Sequence, residues 1–360
     1  MLNALKIQAF DPRSAQEHEY AAANRMENRM RAEREPDDPP VTLEEDIQRW
    51  RNIPPFIDVK AWGVWNEDRS ELIASASVAV LHVEQNQHLA EVEIKVLPAY
   101  RRRGLARRLL ALCVDVARQE NRRLMMTATT STVPAGGAFV RRIGGELGLA
   151  MHTNQLLLAD LDRNLVHRWL ERAEQNRADF ELVCWDGAYP ASELDAMADF
   201  LEVNNTQPRE NLDMEDWHIT SEHLREFERS MMAQGLRRWT MVVREHATGK
   251  FVGYSEITWH PSRPQILEQG GTSVVEAYRN RGIGRWLKAA MLDKITRELP
   301  DAKFVRTGNA FSNAPMLKIN DELGFKPYRT RYQWQVETQK ALNYLGARQH
   351  ERAYDQSTAD

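Results

Sequence analysis

The sequence VVEAYRNRGIGRWL, Val274–Leu287, occurs twice in this chain in closely related form. Its counterpart is VLPAYRRRGLARRL, Val96–Leu109, and eight of the fourteen aligned positions are identical. The two copies are 178 residues apart, about half of the 360-residue chain. A repeat with this period predicts two copies of one structural unit.

The sequence around each copy predicts the same order of elements. At the same shift, LIASASVAV at Leu72–Val80 aligns with KFVGYSEIT at Lys250–Thr258, and both are β-rich runs after a turn signal. A third strand leads into the glycine-containing turn, and an amphipathic helix and a short strand follow it. Charged helical sequence opens each half. Because strands and helices alternate, the predicted fold class is α/β or α+β.

The repeat also predicts the domain boundaries. Residues 1–160 form the first domain, 161–178 an amphipathic linker helix, 179–345 the second domain and 346–360 a polar, frayed tail. Two similar halves can form a pseudo-twofold unit within one chain, so a monomer and a homodimer both remain open.

Composition argues against several classes of protein. Lys and Arg number 48 against 52 Asp and Glu, which gives a net charge of −4 and argues against an extended nucleic-acid surface. Two cysteines and ten scattered histidines provide neither a disulfide framework nor a metal site. The most apolar run, Leu72–Leu81, is too short to cross a bilayer. No secretory leader is recognisable, so we expect a cytoplasmic protein without membrane or nucleic-acid partners.

The repeated turn has the composition of an anion-binding loop. In the second copy it consists of Arg279, Asn280, Arg281, Gly282, Ile283 and Gly284. Glycines let successive backbone N–H groups converge on one point, and the helix that starts there adds unpaired N–H groups and the positive end of its dipole. The arginines add full charges. This pattern predicts a pyrophosphate site.

The first copy retains most of this loop. It has Arg101, Arg103 and Gly104, with Ala106 in place of the last glycine. Neither copy matches the GxxxxGK[ST] loop or the GxGxxG pattern of dinucleotide-binding folds. A hydride-transferring enzyme is therefore not expected.

These motifs resemble motif A of the GNAT acetyltransferase superfamily, R-x-x-G-x-G/A after a Val-rich strand. The resemblance covers both halves and is strongest over Thr272–Phe325. In this respect the chain is similar to tandem GNAT proteins of the mycothiol-synthase type. It implies two GNAT-like domains, each with a central mixed, mostly antiparallel sheet flanked by helices. It further implies acetyl-CoA or another acyl-CoA as cosubstrate, N-acetyl transfer to a small-molecule amine, and no metal.

The resemblance assigns roles to particular residues. The loop Arg279–Gly284 corresponds to the pyrophosphate cradle, and Ser273, Val274 and Val275 to the splayed strand whose backbone pairs with pantetheine. Asn313 matches an asparagine placed against the cofactor, and Gly324-Phe325 matches the signature that ends the next helix. A second cofactor site would use Val96, Arg101, Arg103, Gly104 and Ala106.

The sequence departs from the family pattern at the position of the general acid. Many relatives have a tyrosine four residues before the glycine of the final signature, whereas this chain has Asn320 and, in the first half, Val140. An asparagine donates hydrogen bonds but supplies no proton at neutral pH. Either the thiolate is stabilised without that acid, or one half is not catalytic, or Tyr278 or Tyr328 contributes. The first half also lacks an equivalent of Asn313, so we expect catalysis in the second half and a degenerate cofactor binder or structural partner in the first.

The candidate catalytic residues are Glu256 and Glu268 as bases, together with Asn320. A backbone N–H near Val274 would stabilise the oxyanion. Each carboxylate could equally be a solvated residue at a sheet edge. Cys113 lies on the apolar face of a helix and is expected in the core rather than as a nucleophile.

The acceptor is suggested only by local charge. Asp199–Glu228 holds nine acidic residues against two arginines, which favours a cationic amine, although an ordinary solvated helix face explains it as well. Two other functions remain open. One is a non-catalytic acyl-CoA sensor, and the other is a ribosome-associated or nucleic-acid modifier, which the acidic balance disfavours.

Overall fold

The structure is a computed structural model that describes residues 5–357. The strands are β1 Ile7–Phe10, β2 Ile57–Trp65, β3 Leu72–Leu81, β4 Leu89–Val96, β5 Leu124–Thr130, β6 Glu146–Leu157, β7 Phe180–Asp186, β8 Arg237–Glu245, β9 Phe251–Trp259, β10 Ile266–Val274, β11 Phe304–Ala310 and β12 Lys326–Glu337. The helices are α1 Glu17–Arg34, α2 Leu43–Arg51, α3 Leu105–Gln119, α4 Pro134–Arg142, α5 Arg163–Ala173, α6 Leu194–Leu201, α7 Ser221–Ala233, α8 Ile283–Glu298, α9 Ala314–Glu322 and α10 Thr338–Ser357.

The chain divides into two compact units, and neither is one continuous stretch. The first unit contains the chain up to Ala150, the segment Glu210–Glu215 and the chain from Arg331 onward. The second contains Met151–Arg209 and Asp216–Thr330. Each unit therefore includes most of one strand from the other half of the sequence, β12 in the first unit and β6 in the second.

The sheet of the first unit has the order β1-β2-β3-β4-β5-β12. Its neighbours are antiparallel except β4 and β5, which run parallel. The main core lies between this sheet and α3, where Leu109, Leu110 and Cys113 are buried against the residues of β3. Helices α1 and α2 pack through two smaller clusters.

The sheet of the second unit repeats this plan in the order β7-β8-β9-β10-β11-β6. Again one neighbouring pair, β10 and β11, is parallel and the others are antiparallel. Helix α8 packs its buried face, which includes Ile283, Trp286 and Leu287, against the sheet. Helices α6 and α7 join one cluster that includes Phe200, Leu224 and Tyr254. The predicted mixed, mostly antiparallel sheet flanked by helices is confirmed in both units.

The pairing registers correct the sequence alignment of β3 with β9 by one residue. Val96 pairs with Ala74 in the first unit, and its counterpart Val274 pairs with Gly253 in the second, so Ala74 and Gly253 are equivalent. The shift of 178 residues had aligned Ser75 with Gly253. Loop lengths and a bulge in β10 differ between the halves, and a slip of one residue moves every side chain to the opposite face of a sheet.

The predicted linker and the predicted C-terminal tail also differ from what the structure shows. Helix α5 lies within 161–178, the stretch predicted as a linker, and belongs to the second unit. The tail expected to fray after Leu345 is helical as far as Ser357, within α10.

Candidate functional site

The loop before α8 has the backbone of an anion-binding nest. Asn280 and Gly282 have φ values of 64° and 81°, both in the left-handed region, and Gly282 is the N-cap of α8. The loop before α3 repeats this geometry at Arg102 and Gly104, with φ values of 61° and 84°. Alternation of right- and left-handed residues makes successive N–H groups converge. The repeat seen in the sequence is thus a repeat of backbone geometry.

Glycine is required at one position of the loop and not at the other. At Gly282 the left-handed φ itself disfavours any side chain, and the space around the missing Cβ is open. At Gly284 a Cβ would meet Ile319 at 3.5 Å, which is ordinary van der Waals contact. Ala106 at the equivalent position in the first unit therefore needs no distortion of the loop.

The first arginine of each loop braces the strand that precedes it. Arg279 donates from Nε to the Val274 carbonyl oxygen at 3.1 Å, and Arg101 donates to the Val96 carbonyl oxygen at the same distance. Arg101 is then neutralised by the Glu33 carboxylate, whereas Arg279 bonds to the Thr206 hydroxyl. The full charge of this arginine is therefore retained only in the second unit.

The parallel strands separate beside each loop. In the second unit, β10 pairs with β11 from Ile266 to Gln269, and the pairing ends there although β10 continues to Val274. In the first unit, β4 pairs with β5 only from Leu89 to Glu91 and continues to Val96. Each separation opens one edge of a strand, so that its N–H and C=O groups can bind an extended molecule. Ser273 and Val274 lie on the open part of β10, and Val275 follows the end of the strand.

A bulge distinguishes β10 from β4. The register of β10 with β9 shifts between Gln269 and Thr272, at Gly270-Gly271, whereas the pairing of β4 with β3 is regular. A Cβ on Gly271 would lie 1.8 Å from the Tyr254 hydroxyl oxygen, so only glycine fits beneath that side chain. The bulge turns the backbone at the point where the strands separate.

A polar cluster supports the open part of β10 on the side of α6. Asn204 bonds to the Tyr254 hydroxyl at 2.9 Å and accepts from the Ser273 hydroxyl at 3.0 Å. Gln207 donates to both Asn204 and Ser273. Burial raises the pKa of Tyr254, which keeps this hydroxyl protonated and able to donate.

A second polar group lies under the bulge on the side of α8. Lys288 is buried on α8, and its ammonium donates to the Gln269 side chain at 2.6 Å. Gln269 in turn donates to Ser255, whose hydroxyl bonds to Thr272 at 2.8 Å. Desolvation lowers the pKa of Lys288 to about 7. This chain of side chains connects the core of the unit to the bulge.

Asn320 lies in a buried cluster of asparagines. Its amide nitrogen donates to Asn309 on β11 at 2.7 Å, and Asn154 on β6 donates to the same oxygen at 3.4 Å. The Asn320 side-chain oxygen is buried without a hydrogen-bond partner among the described residues. Gly324, with φ 89°, ends α9 four residues later. Asn313 caps the start of this helix by accepting from the Met316 N–H at 3.4 Å.

The two predicted bases have different surroundings. Glu256 on β9 is partly buried and accepts from the Tyr189 hydroxyl at 2.9 Å and from the Thr240 hydroxyl at 3.3 Å. Glu268 is exposed and lies within β10 rather than before it. Glu256 is therefore the carboxylate that the fold holds in place.

The acidic stretch Asp199–Glu228 is divided between the two units, because Glu210–Glu215 belongs to the first. Several of its carboxylates are also paired within the protein. The pairs are Glu202 with His218, Asp216 with Arg209, Glu226 with Arg229, and Glu228 with Arg225 and Arg238.

The cysteines lack the surroundings of a nucleophile. Cys113 is fully buried, and burial raises the pKa of its thiol to about 12. Desolvation also raises the pKa of Cys184. Within residues 5–357 no group of three or more potential metal ligands comes together. Nor does that part of the chain contain a helix with the length and apolar character needed to cross a membrane.

Sequence reasoning missed the residues that support the bulge. Tyr254, Asn204, Gln269 and Lys288 carry no motif, and their contacts depend on which residues face each other across strands and helices. The pair Gly270-Gly271 within a strand was the one available signal, since glycine in a strand interior marks a bulge or a close approach.

Comparisons with known proteins bear on the family and the fold of the chain. A family profile described as Acetyltransferase (GNAT) family matches residues 23–144. No curated protein matches the chain significantly. The family match is confined to residues 23–144, in the first half of the chain.

Solved structures resemble most of the chain. A tandem GNAT protein from the clavulanic acid biosynthesis pathway has 22% identity and a TM-score of 0.73, with 93% of this chain and 98% of that chain covered. A GCN5-related N-acetyltransferase from Sphaerobacter thermophilus has 15% identity and a TM-score of 0.63, with 92% and 96% covered. The chain therefore has the fold of tandem GNAT proteins.

Proposed function

We propose that this tandem GNAT protein is an acyl-CoA-dependent N-acetyltransferase that acts on the amine of a small molecule, with the reaction in the second unit. The observation that carries the proposal is the loop Arg279–Gly284 beside the open edge of β10. A convergent set of N–H groups and an unpaired strand edge suit a pyrophosphate joined to an extended arm.

The residues present fit such a cosubstrate. The space next to the missing Cβ of Gly282 is open, and Arg279 is not neutralised by a carboxylate. The loop N–H groups would hold the pyrophosphate, and the open backbone of Ser273 and Val274 would hold the pantetheine arm. Bound acetyl-CoA supplies a thioester that an amine can attack.

The side chains of the second unit then have two tasks. Glu256 takes the proton from the attacking amine, directly or through water, while Tyr189 and Thr240 hold its carboxylate. Backbone N–H groups at the Gly270-Gly271 bulge stabilise the oxyanion. Asn320 supplies no proton, so the CoA sulfur leaves as a thiolate when the C–S bond breaks and takes its proton from water. Asn320 positions β11 through Asn309.

The acceptor in this proposal is a primary amine. The acidic stretch gives less support to a cationic acceptor than its composition suggested, because many of its carboxylates are already paired. A panel containing a polyamine, an amino sugar and a neutral aromatic amine separates these classes. Turnover of neutral amines alone would exclude the cationic acceptor.

Release of CoA thiol from acetyl-CoA, measured across that panel, tests the activity. Glu256→Gln should lower kcat by about 10²–10⁴-fold. Glu268→Gln is the matched control and should leave kcat close to the wild-type value. Equal losses in both variants would contradict the role of Glu256.

A non-catalytic acyl-CoA sensor is the second candidate, and Asn320 is the observation that favours it. In place of a group that can protonate a thiolate, the structure has a buried amide bonded to Asn309. Saturable CoA binding with no thiol release for any amine would support the sensor and exclude the enzyme.

A further inference from the structure

The first unit contains a cavity between its sheet and the helices α1 and α2. Its volume is about 440 Å³, within the range of about 300–1,000 Å³ that is usual for small-molecule sites. Helix α1 packs on the sheet through one cluster around Met26 and Leu97 and through another around Tyr20 and Ile47. The cavity lies under the same helices, where the floor of the sheet is lined by small side chains.

The floor of the cavity shows why the space exists. Ala61 and Gly63 on β2 pair with Ser77 and Ser75 on β3, and all four line the cavity. The equivalent positions of the second unit are occupied by Thr240, Val242, Glu256 and Tyr254. The second unit fills this region with large side chains, so the fold itself does not require a cavity there.

The walls carry charged groups whose carboxylates are already engaged. Glu27 is nearly buried and pairs with Arg34 and Lys95, both at 2.8 Å. Lys95 also pairs with Glu93, and Glu19 accepts from the Gln16 N–H. A cationic ligand would have to share these carboxylates with their present partners.

The basic side chains of the cavity wall have N–H groups to spare. The Lys95 ammonium has three N–H groups and two carboxylate partners, and Arg34 uses one of its five N–H groups on Glu27. The Ser75 and Ser77 hydroxyls have no hydrogen-bond partner among the described residues. A ligand that satisfies these groups must supply acceptor oxygens.

The remaining lining is apolar and aromatic. Phe10, Trp50 and Trp62 line the cavity together with Met26 and Ile53. Such a surface favours a ligand with a flat or apolar body. This apolar part of the lining offers no hydrogen bonds to water.

We propose that this cavity binds a small organic carboxylate with an aromatic or apolar body, and that the first unit is thereby a ligand-binding unit. The carboxylate lies toward Lys95, Arg34 and the two serine hydroxyls, and the body lies against the aromatic side chains. The site is separate from the reaction proposed for the second unit.

Three probes that share a benzyl group and differ in charge test the proposal: phenylacetate, 2-phenylacetamide and phenethylamine. Binding to the full chain is measured by calorimetry and by tryptophan fluorescence. Phenylacetate should bind with a Kd about tenfold lower than that of phenethylamine, as expected for a charge-assisted hydrogen bond. Tighter binding of phenethylamine, or saturable binding of none of the three, would overturn the proposal.

Variants separate the cavity from other surfaces. Ser77→Leu fills the floor and should weaken phenylacetate binding by about tenfold or more, whereas Ser77→Ala should weaken it by a smaller factor. Ser70→Leu, on an exposed turn of the same unit, is the control and should bind normally. Unchanged affinity in Ser77→Leu, with a normal melting temperature, would place the probe elsewhere. Thiol release by the second unit should not change in Ser77→Leu, so a failure of this proposal is distinct from a failure of the proposed activity.

Discussion

The two units share a loop and differ on both faces of the sheet beside it. Under the helix that follows the loop, the second unit has Lys288 and Gln269, where the first has Leu110 and Val92. On the opposite face the second unit is filled and the first contains a cavity. Apolar residues suffice at these two positions, as Leu110 and Val92 of the first unit show. Packing alone therefore does not require the buried polar pair Lys288 and Gln269 of the second unit, which agrees with the catalytic role proposed for that unit.

The largest expected effect concerns the loops themselves. Gly282→Glu places a bulky anion on a left-handed residue where the pyrophosphate is proposed to bind, and we expect CoA binding by the second unit to be abolished. Gly104→Glu is the matched change in the first unit. Calorimetric titration with CoA measures both. If Gly104→Glu abolishes binding and Gly282→Glu does not, the proposed roles of the units must be exchanged.

The charged wall of the cavity should dominate the acid stability of the first unit. The nearby Lys95 and Arg34 charges lower the pKa of Glu27 to about 2 despite its burial. Because the folded-state pKa lies below the ordinary value of 4.5, the stabilisation is complete above that value and is lost as the pH falls from 4.5 to 2. Glu27→Gln should lower the free energy of unfolding at pH 7 by about 3 kcal/mol.

Denaturant titration at pH 7 and pH 3 checks this prediction. The difference between wild type and Glu27→Gln should shrink at pH 3. Glu174→Gln, which breaks an exposed pair with Arg177, should change the free energy of unfolding by less than about 1 kcal/mol. Equal effects of the two substitutions would show that the buried pair contributes no more to the free energy of unfolding than the exposed pair.

The bulge of β10 gives a prediction with an adjacent control. Gly271→Ala forces a Cβ against the Tyr254 hydroxyl and should lower the free energy of unfolding by about 1–3 kcal/mol, with a loss of activity. At Gly270 a Cβ would meet the Glu256 carboxylate at 3.5 Å, which is ordinary contact, so Gly270→Ala should be tolerated. Thermal unfolding and thiol release distinguish the two. A tolerated Gly271→Ala would show that the bulge is not fixed by Tyr254.

An effect of the opposite sign is expected when the second unit is made like the first. The double variant Lys288→Leu, Gln269→Val should raise the free energy of unfolding by about 1–3 kcal/mol at pH 7. Burial lowers the pKa of Lys288 to about 7, so the wild type regains stability as the pH rises from 7 toward 10.5. The advantage of the variant should therefore fall at pH 10.

Urea titration at pH 7 and pH 10 measures this advantage. We also expect the double variant to lose thiol release while it keeps CoA binding, because the bulge loses its support. A variant that is more stable and equally active would contradict a functional role for Lys288.

The sequence predicted the architecture and the loop because both repeat. The strand that leads into the loop, the glycine at its left-handed position and the helix after it are local features, and local features recur at a fixed shift. The alignment of β3 with β9 was wrong by one residue. The reason is that a bulge in β10 and loops of different length lie between each of these strands and the repeated loop that follows. That single residue decides which side chains face the helices.

The supporting side chains were not predictable for the same reason. The contacts of Lys288 with Gln269 and of Tyr254 with Gly271 require the correct register and the correct face of each strand. The cavity was equally invisible, since Ala61, Ser75 and Ser77 show no pattern until they are paired. The exchange of β6 and β12 between the two units depends on tertiary structure and cannot be predicted from the repeat.

That exchange has a consequence for synthesis on the ribosome. The first unit is completed by β12, which pairs with β5 from Leu124 to Thr130. At about 5–20 residues per second, the chain between these strands takes on the order of 10–40 s to translate. During that interval β5 presents an unpaired edge, the kind of surface that recruits foreign strands. The first unit therefore stays incompletely folded until β12 has been synthesised.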